Sequence, residues 1–114
     1  VETFEKHIPS GGTAMLLLKL LEVGDMYGYQ MVETLRQRSD HTFDLKAGTL
    51  DPLLHTLEEK GFVTSYLEGT DTPRPRKYYR LTSTGKGQLV EKVEEWRRYT
   101  AAVEKVLKGG ETFA

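Results

Sequence analysis

The 114-residue sequence contains no cysteine, which excludes disulfide bonds and thiolate metal sites and makes an intracellular, cytoplasmic setting the expectation. It also lacks a long apolar run. The longest one, residues 14–18, stops at Lys19, whereas a membrane span requires about 20 apolar residues, so we expect no membrane contact. Residues 1–10 include Glu2 and Glu5 but no apolar stretch, so no signal peptide is expected.

An excess of positive charge is also absent, because the formal net charge is −1. This excludes a uniformly basic protein that coats DNA, and any contact with nucleic acid must come from a local patch of cations. The length fits one domain with one hydrophobic core.

Apolar periodicity predicts three helices in the first half of the chain. Residues 14–23 are apolar on nearly all sides, which favours a place at the centre of the core or in contact with another subunit. A second helix is predicted from Tyr27 to about Arg38, and a third over residues 47–60 with Pro52 in its first turn. Four leucines form the inward face of the third helix: Leu50, Leu53, Leu54 and Leu57.

A β-hairpin and a long helix follow. Residues 62–67 and 76–81 have strand composition and are joined by turn chemistry, so they form the hairpin that we call the wing. The last helix is predicted over residues 85–108. Its apolar positions alternate in steps of four and three, the spacing of a coiled-coil seam: Leu89, Val93, Trp96, Thr100, Val103 and Leu107.

This order of elements is the layout of a winged helix-turn-helix, a mainly α fold with a β-hairpin. In this layout the third helix enters the major groove, the second helix braces it, and the wing touches the backbone nearby. We expect residues 1–84 to form the DNA-binding domain with its N-terminal helix. Residues 85–108 form a dimerisation helix in the same compact unit, and residues 109–114 a tail.

Residues 72–82 contain four cations, two tyrosines and two prolines, and no acidic residue. The cations are Arg74, Arg76, Lys77 and Arg80. Alone, such a stretch is typical of an ordinary solvated hairpin tip. Behind a helix-turn-helix pattern, Arg74, Arg76 and Lys77 are better interpreted as contacts to phosphate or to the minor groove, which position a protein and make its affinity salt-dependent.

The third helix and its entrance offer four polar side chains for DNA contact: Lys46, Thr49, His55 and Thr56. Thr49 suits a thymine methyl or a phosphate, and equally an interaction that caps the helix N-terminus. His55 has no His or Cys partner nearby in the sequence, so it is either a DNA donor or a surface histidine, and no metal site is predicted.

The second helix offers Tyr29 and Gln30 as contacts to the DNA backbone. Tyr27 begins the apolar stripe of this helix, so it is more typical of a core residue than of a contact.

Five segments resemble the PadR family of bacterial transcription regulators: residues 24–29, 48–55, 57–61, 74–81 and 94–98. They occur in order and at the family's spacing over about residues 12–108. The single short C-terminal helix is similar to the smaller subfamily that includes the multidrug-responsive LmrR type. The resemblance implies a homodimer formed through the first and last helices, and a repressor that a ligand or signal releases from DNA.

One position departs from the family pattern, which usually has tyrosine where this sequence has Asp51. Its carboxylate suits the helix N-terminus, but facing DNA it would repel phosphate or accept a hydrogen bond from a cytosine amino group.

The resemblance also implies a binding site at the centre of the dimer. Trp96 corresponds to a tryptophan that lines a flat cavity for aromatic drugs in LmrR-like relatives, and a plain role in the dimer core is the alternative. The residues expected at this interface or effector site are Met15, Leu18, Leu89, Val93, Trp96, Tyr99 and Val103.

An enzymatic role finds no support in the sequence. The three histidines are separated, no serine–histidine or paired-carboxylate arrangement is evident, and no phosphate-binding loop pattern or cofactor motif occurs. We therefore expect a DNA-binding regulator with no cofactor. The alternative from another class is a winged-helix module that binds proteins instead of DNA.

Overall fold

The computed structural model describes residues 12–109, so the expectations for residues 1–11 and for the tail after residue 109 lie outside the described residues. The elements, in chain order, are α1 (Gly12–Val23), β1 (Met26–Tyr27), α2 (Gly28–Arg38), α3 (Ala47–Glu59), β2 (Val63–Glu68), β3 (Arg76–Leu81) and α4 (Ser83–Gly109). The predicted helices and both wing strands are confirmed, with ends that differ by one to two residues.

The core lies where α1 meets the inward faces of α2 and α3 and one face of the sheet. Leu17 and Leu18 of α1 are completely buried, which explains why α1 is apolar on nearly all sides. Met31 of α2 and Leu50 and Leu54 of α3 pack into the same cluster. These contacts hold α2 and α3 in the helix-turn-helix arrangement.

The sheet has three antiparallel strands in the order β1–β3–β2, not the two of the predicted hairpin. The additional strand is β1, in which Tyr27 pairs with Tyr78 of β3. The sequence places Tyr27 in the second helix, but its backbone is extended, with φ −93° and ψ 167°. Tyr27 therefore belongs to the sheet, and α2 begins at Gly28.

The junction of β2, β3 and α4 is tightly packed. Thr82 donates its hydroxyl to the carbonyl of Gly61 at 2.6 Å and accepts from the Gly85 N–H at 2.9 Å, which caps α4. A Cβ atom on Gly85 would lie 2.0 Å from the Phe62 carbonyl oxygen. Only glycine allows α4 to start this close to the strand.

Most of α4 extends away from the core. The helix contains 27 residues and is therefore about 40 Å long, yet its buried residues are Gly85 and Leu89. The first part packs on α1. Residues 101–108 are all exposed, and they include Val103 and Leu107 of the predicted seam.

The Gly85 contact predicts a matched pair of helix substitutions with opposite effects. Gly85→Ala should destabilise the fold by about 1–3 kcal/mol, because the added methyl group overlaps backbone. Gly87→Ala, which meets nothing within 4 Å, should stabilise it by about 0.5–1 kcal/mol through helix propensity. Urea unfolding followed by circular dichroism measures both, and equal effects of the two substitutions would contradict the packing described.

Candidate nucleic-acid interface

The exposed side of α3 presents the polar residues that the sequence singles out. Lys46 is the N-cap, so Thr49 lies in the first turn with its side chain exposed. The side chain of Lys46 does not cap α3 by a hydrogen bond, and the Thr49 N–H donates to the Lys46 carbonyl at 3.0 Å. A helix N-terminus of this kind favours an anionic group such as a phosphate.

Further along α3, His55 and Thr56 are exposed but already contact neighbours. The Thr56 hydroxyl donates to the Pro52 carbonyl at 3.1 Å, which leaves its oxygen as an acceptor. Nε2 of His55 lies 3.6 Å from a carboxylate oxygen of Glu59, one turn away. Contacts between such exposed groups are weak, so either side chain can exchange its partner for a DNA group.

A charged cluster fixes the entrance to α3. Arg36 of α2 bridges Glu33 at 2.6 Å and Asp44 at 2.9 Å, and Lys46 contacts Asp44 at 3.2 Å. The hydrogen bond from Arg36, followed by that from Lys46, lowers the pKa of Asp44. Lys46 is 62% exposed, so its pair with Asp44 is a surface contact that leaves the ammonium group accessible.

The two candidate residues of α2 differ in their surroundings. Tyr29 is 67% exposed at the first turn. Gln30 is half-buried, and its side-chain oxygen accepts the backbone N–H of Tyr27 at 3.1 Å. Gln30 therefore stabilises the start of α2, and only its amide NH₂ group is left for a contact outside the chain.

The wing does not present its cations as one patch, because successive residues of a strand point to opposite faces. Arg76, Tyr78 and Arg80 share the outer face of the sheet, while Lys77 and Tyr79 share the face toward the core. In keeping with this alternation, Lys77 approaches Glu58 of α3, with 3.9 Å between the charged atoms.

Arg80 is occupied by an ion pair within the chain. Its guanidinium contacts the Asp25 carboxylate at 3.0 Å, and the same carboxylate accepts the Tyr66 hydroxyl at 2.7 Å. The hydrogen bond from Tyr66, assisted by Arg80, lowers the pKa of Asp25. Arg80 therefore ties the wing to the residue just before β1.

Arg74 and Arg76 are the cations nearest to the tip of the wing. Arg74 is exposed, and within residues 12–109 no ion pair engages it. Arg76 is also exposed, and its guanidinium carbon lies 4.6 Å from the centre of the Tyr27 ring. The tip itself is closed by Thr72, whose N–H donates to the Gly69 carbonyl at 2.9 Å.

An open groove of about 660 Å³ separates α1 from α4. Apolar side chains form its floor, and charged ones its rim: Met15, Leu16, Leu89, Val93 and Trp96, with Lys19, Glu22, Glu94 and Arg97. Four of the residues expected at the effector site thus lie together. Leu18 does not, since it is completely buried in the core. Tyr99 lies beside Trp96, with 5.9 Å between ring centres, and Val103 lies farther along α4.

Two side chains near the interface have roles that the sequence does not indicate. Asp25 lies in a turn without periodicity, and Tyr27 begins an apolar stripe that is more typical of a core residue. Both meet their partners across the sheet, at sequence separations that periodicity does not detect. The pairing of aromatic and cationic residues in β3 is the signal that could have pointed to them.

Between residues 12 and 109, the structure shows neither a metal site nor a membrane-spanning helix. There, no group of three or more His, Asp or Glu side chains is arranged to hold a metal ion. Over the same residues, no helix is both long enough and apolar enough to cross a membrane.

Comparison with known proteins gives a consistent result. Residues 17–91 match the family described as "Transcriptional regulator PadR-like family". A transcriptional regulator from Clostridium thermocellum is 30% identical, with a TM-score of 0.81 over 87% of this chain and 96% of that chain. PadR family transcription regulators from Clostridium difficile and Eggerthella lenta are 34% and 35% identical, with TM-scores of 0.72 and 0.76. The match to the Clostridium difficile protein covers 82% of this chain and 95% of that chain, and the match to the Eggerthella lenta protein covers 90% and 87%.

The family match covers more than half of the sequence, and the regulator from Clostridium thermocellum shares the fold over 87% of this chain. The helix-turn-helix, the cationic wing tip and the long last helix are thus explained together. The chain belongs to the PadR-like family of transcriptional regulators.

Proposed function

We propose that this regulator is a repressor that binds a roughly palindromic operator as a homodimer, and that a small aromatic or hydrophobic molecule at the dimer centre controls its affinity for DNA. Family membership makes the protein a transcriptional regulator and not an enzyme. The observation that supports the finer proposal is the connection between the helix-turn-helix and the wing. The central strand β3 pairs both with β1, which leads into α2, and with β2, which follows α3. Its place of action would be the cytoplasm of a bacterium.

Each subunit would place α3 in a major groove and the wing tip on the adjacent backbone. The uncapped N-terminus of α3, with Lys46 and Thr49, suits a phosphate. His55 and Thr56 suit base edges or the opposite strand. Arg74 and Arg76 would supply positive charge at the wing tip. Lys77, on the face toward α3, would contact phosphate beside the groove that α3 enters.

The exposed apolar surface of α4 supports a homodimer. Within the described residues, most of the exposed large hydrophobic side chains lie on this helix, and five of them share one side of it: Trp96, Tyr99, Val103, Val106 and Leu107. A second copy packing along the seam would remove this surface from water, which favours association. A two-fold axis pairs two copies of α3, and a two-fold symmetric protein selects a palindromic site.

The groove between α1 and α4 supports the effector. Its apolar floor includes Trp96, and it would lie on the surface that a second subunit covers. A flat hydrophobic molecule there would stack on the indole ring. It would shift DNA affinity only as far as it binds one arrangement of the two subunits better than the other.

The alternative of a protein-interaction module predicts a different response to salt. Binding through phosphates releases counterions, so DNA affinity falls steeply as salt concentration rises. An interface with a protein of near-neutral charge releases few counterions, so its affinity need not fall steeply with salt concentration.

The wing contact predicts a specific change in salt dependence. Arg76→Ala should weaken binding to every DNA sequence and reduce the slope of log affinity against log salt concentration by about 2 per dimer, since each lost phosphate contact removes about 0.9. Fluorescence anisotropy in a salt series measures this change. Lys86→Ala, which removes an exposed cation in the first turn of α4, is the matched control and should leave the slope unchanged. An unchanged slope for Arg76→Ala would remove the wing from the interface.

The dimer seam predicts that one carboxylate placed on it separates the subunits. Val103→Asp should weaken self-association by roughly a hundredfold or more, because the dimer would bury an unpaired charge. Tight operator binding should be lost with the dimer. Sedimentation velocity measures the association. Ala101→Asp adds the same charge about 160° away around α4 and should leave the dimer intact. Dimers that survive Val103→Asp would show that the interface lies elsewhere.

The effector site predicts an optical signal from the only tryptophan. A planar hydrophobic dye should quench Trp96 fluorescence saturably and with one stoichiometric site per dimer. Val93→Arg, which places a cation in the floor of the groove, should weaken this quenching. If a broad panel of aromatic compounds leaves the emission unchanged, the groove is not an effector site.

A further inference from the structure

We propose that Tyr27 is a positioning residue for DNA binding: its ring holds the guanidinium of Arg76 flat, so that the N–H edge of Arg76 is presented to a phosphate in a fixed orientation. The inference rests on the wing contact in the proposed function and deepens it. It assigns a task to a tyrosine that is half-buried in the sheet and makes no DNA contact itself.

The strand register explains why the two side chains meet. Tyr27 of β1 lies directly opposite Tyr78 of β3, so both point to the outer face of the sheet. Arg76 is two residues before Tyr78 and therefore shares that face, as a diagonal neighbour of Tyr27. The guanidinium carbon then reaches 4.6 Å from the ring centre, within the range of a cation–π contact.

The Tyr27 ring is itself held on several sides. Its edge packs against Tyr78 at 5.3 Å between ring centres, and Tyr78 stacks on Tyr66 at 5.7 Å. Its backbone N–H donates to Gln30 at the start of α2. The support for Arg76 is therefore attached to both the sheet and the helix-turn-helix, and it does not move with the wing tip alone.

The chemistry of arginine makes this support useful. A guanidinium is planar, and a ring against one face leaves its N–H donors free at the edge for a bidentate bond to phosphate oxygens. Without the ring, a long exposed side chain must be ordered at the moment of binding, which reduces affinity. A lysine has the same charge but no plane to stack, so it should not replace Arg76.

A double-mutant cycle tests the proposal, with a mixed-sequence DNA duplex as the probe and anisotropy in a salt series as the readout. Tyr27→Leu should weaken binding by about threefold to tenfold, the range of an exposed cation–π contact. It should leave the salt slope unchanged, because every cation is retained. In the Arg76→Ala background the same substitution should change affinity by less than about twofold.

Three further variants separate positioning from a structural role. Tyr27→Phe keeps the ring and should bind like the unaltered protein. Tyr66→Leu removes a more distant ring of the same cluster, whose hydroxyl also holds Asp25, and it does not touch Arg76. It therefore measures the structural contribution of the cluster, and its effect on affinity should be equal in the unaltered and Arg76→Ala backgrounds. Arg76→Lys leaves Tyr27 and the fold untouched and should reproduce the loss of affinity at an unchanged slope, even if Tyr27→Leu fails to fold.

The outcomes distinguish this inference from the function on which it rests. If Arg76→Ala does not weaken binding, the wing contact is wrong and the positioning role falls with it. If Arg76→Ala weakens binding but Tyr27→Leu does not, or if Tyr27→Leu has equal effects in both backgrounds, only the positioning role is overturned. Full activity of Arg76→Lys would also overturn it.

Discussion

The structure depends on the pairing of β3 with a strand on either side. As the middle strand, β3 joins the wing partner β2 to the two-residue β1 that leads directly into α2. Backbone hydrogen bonds on both edges of β3 therefore fix the wing relative to the helix-turn-helix, which a two-stranded hairpin on a flexible tether would not achieve. The ion pair of Arg80 with Asp25 reinforces the same connection from the side chains.

This constraint also determines where positive charge can act in a protein whose net charge is −1. Arg80 is neutralised by Asp25, and Lys77 lies near Glu58. The charge at the wing tip is left to Arg74 and Arg76, and the alternation of β3 places Arg76 beside a ring attached to α2. A small number of oriented cations replaces the broad basic surface that the composition lacks, which makes the geometry of each one important.

The sequence predicts the helices well because each has a continuous apolar face. It predicts the wing because its strands flank a turn that contains Gly69, Pro73 and Pro75. It does not predict β1, since two residues have no periodicity and their partners lie far along the chain. The contact of Arg80 with Asp25 spans 55 residues for the same reason. The sequence proposes Gln30 as a DNA contact, but its side-chain oxygen accepts the Tyr27 N–H at the start of α2, a local hydrogen bond that the apolar pattern does not reveal. Leu18 illustrates a further limit: a helix that is apolar on all sides does not reveal which of its leucines face the core.

The central claim is that α3 and the wing together bind a specific DNA sequence. It is tested most directly by titrating the unaltered protein, in a salt series, against duplex DNA from upstream of its own gene and against a scrambled duplex of the same length and composition. We expect tight binding to the native duplex, weaker binding to the scrambled one, and a steep fall of both affinities with salt. Weak and salt-insensitive binding to both duplexes would contradict it and favour a winged helix that binds protein.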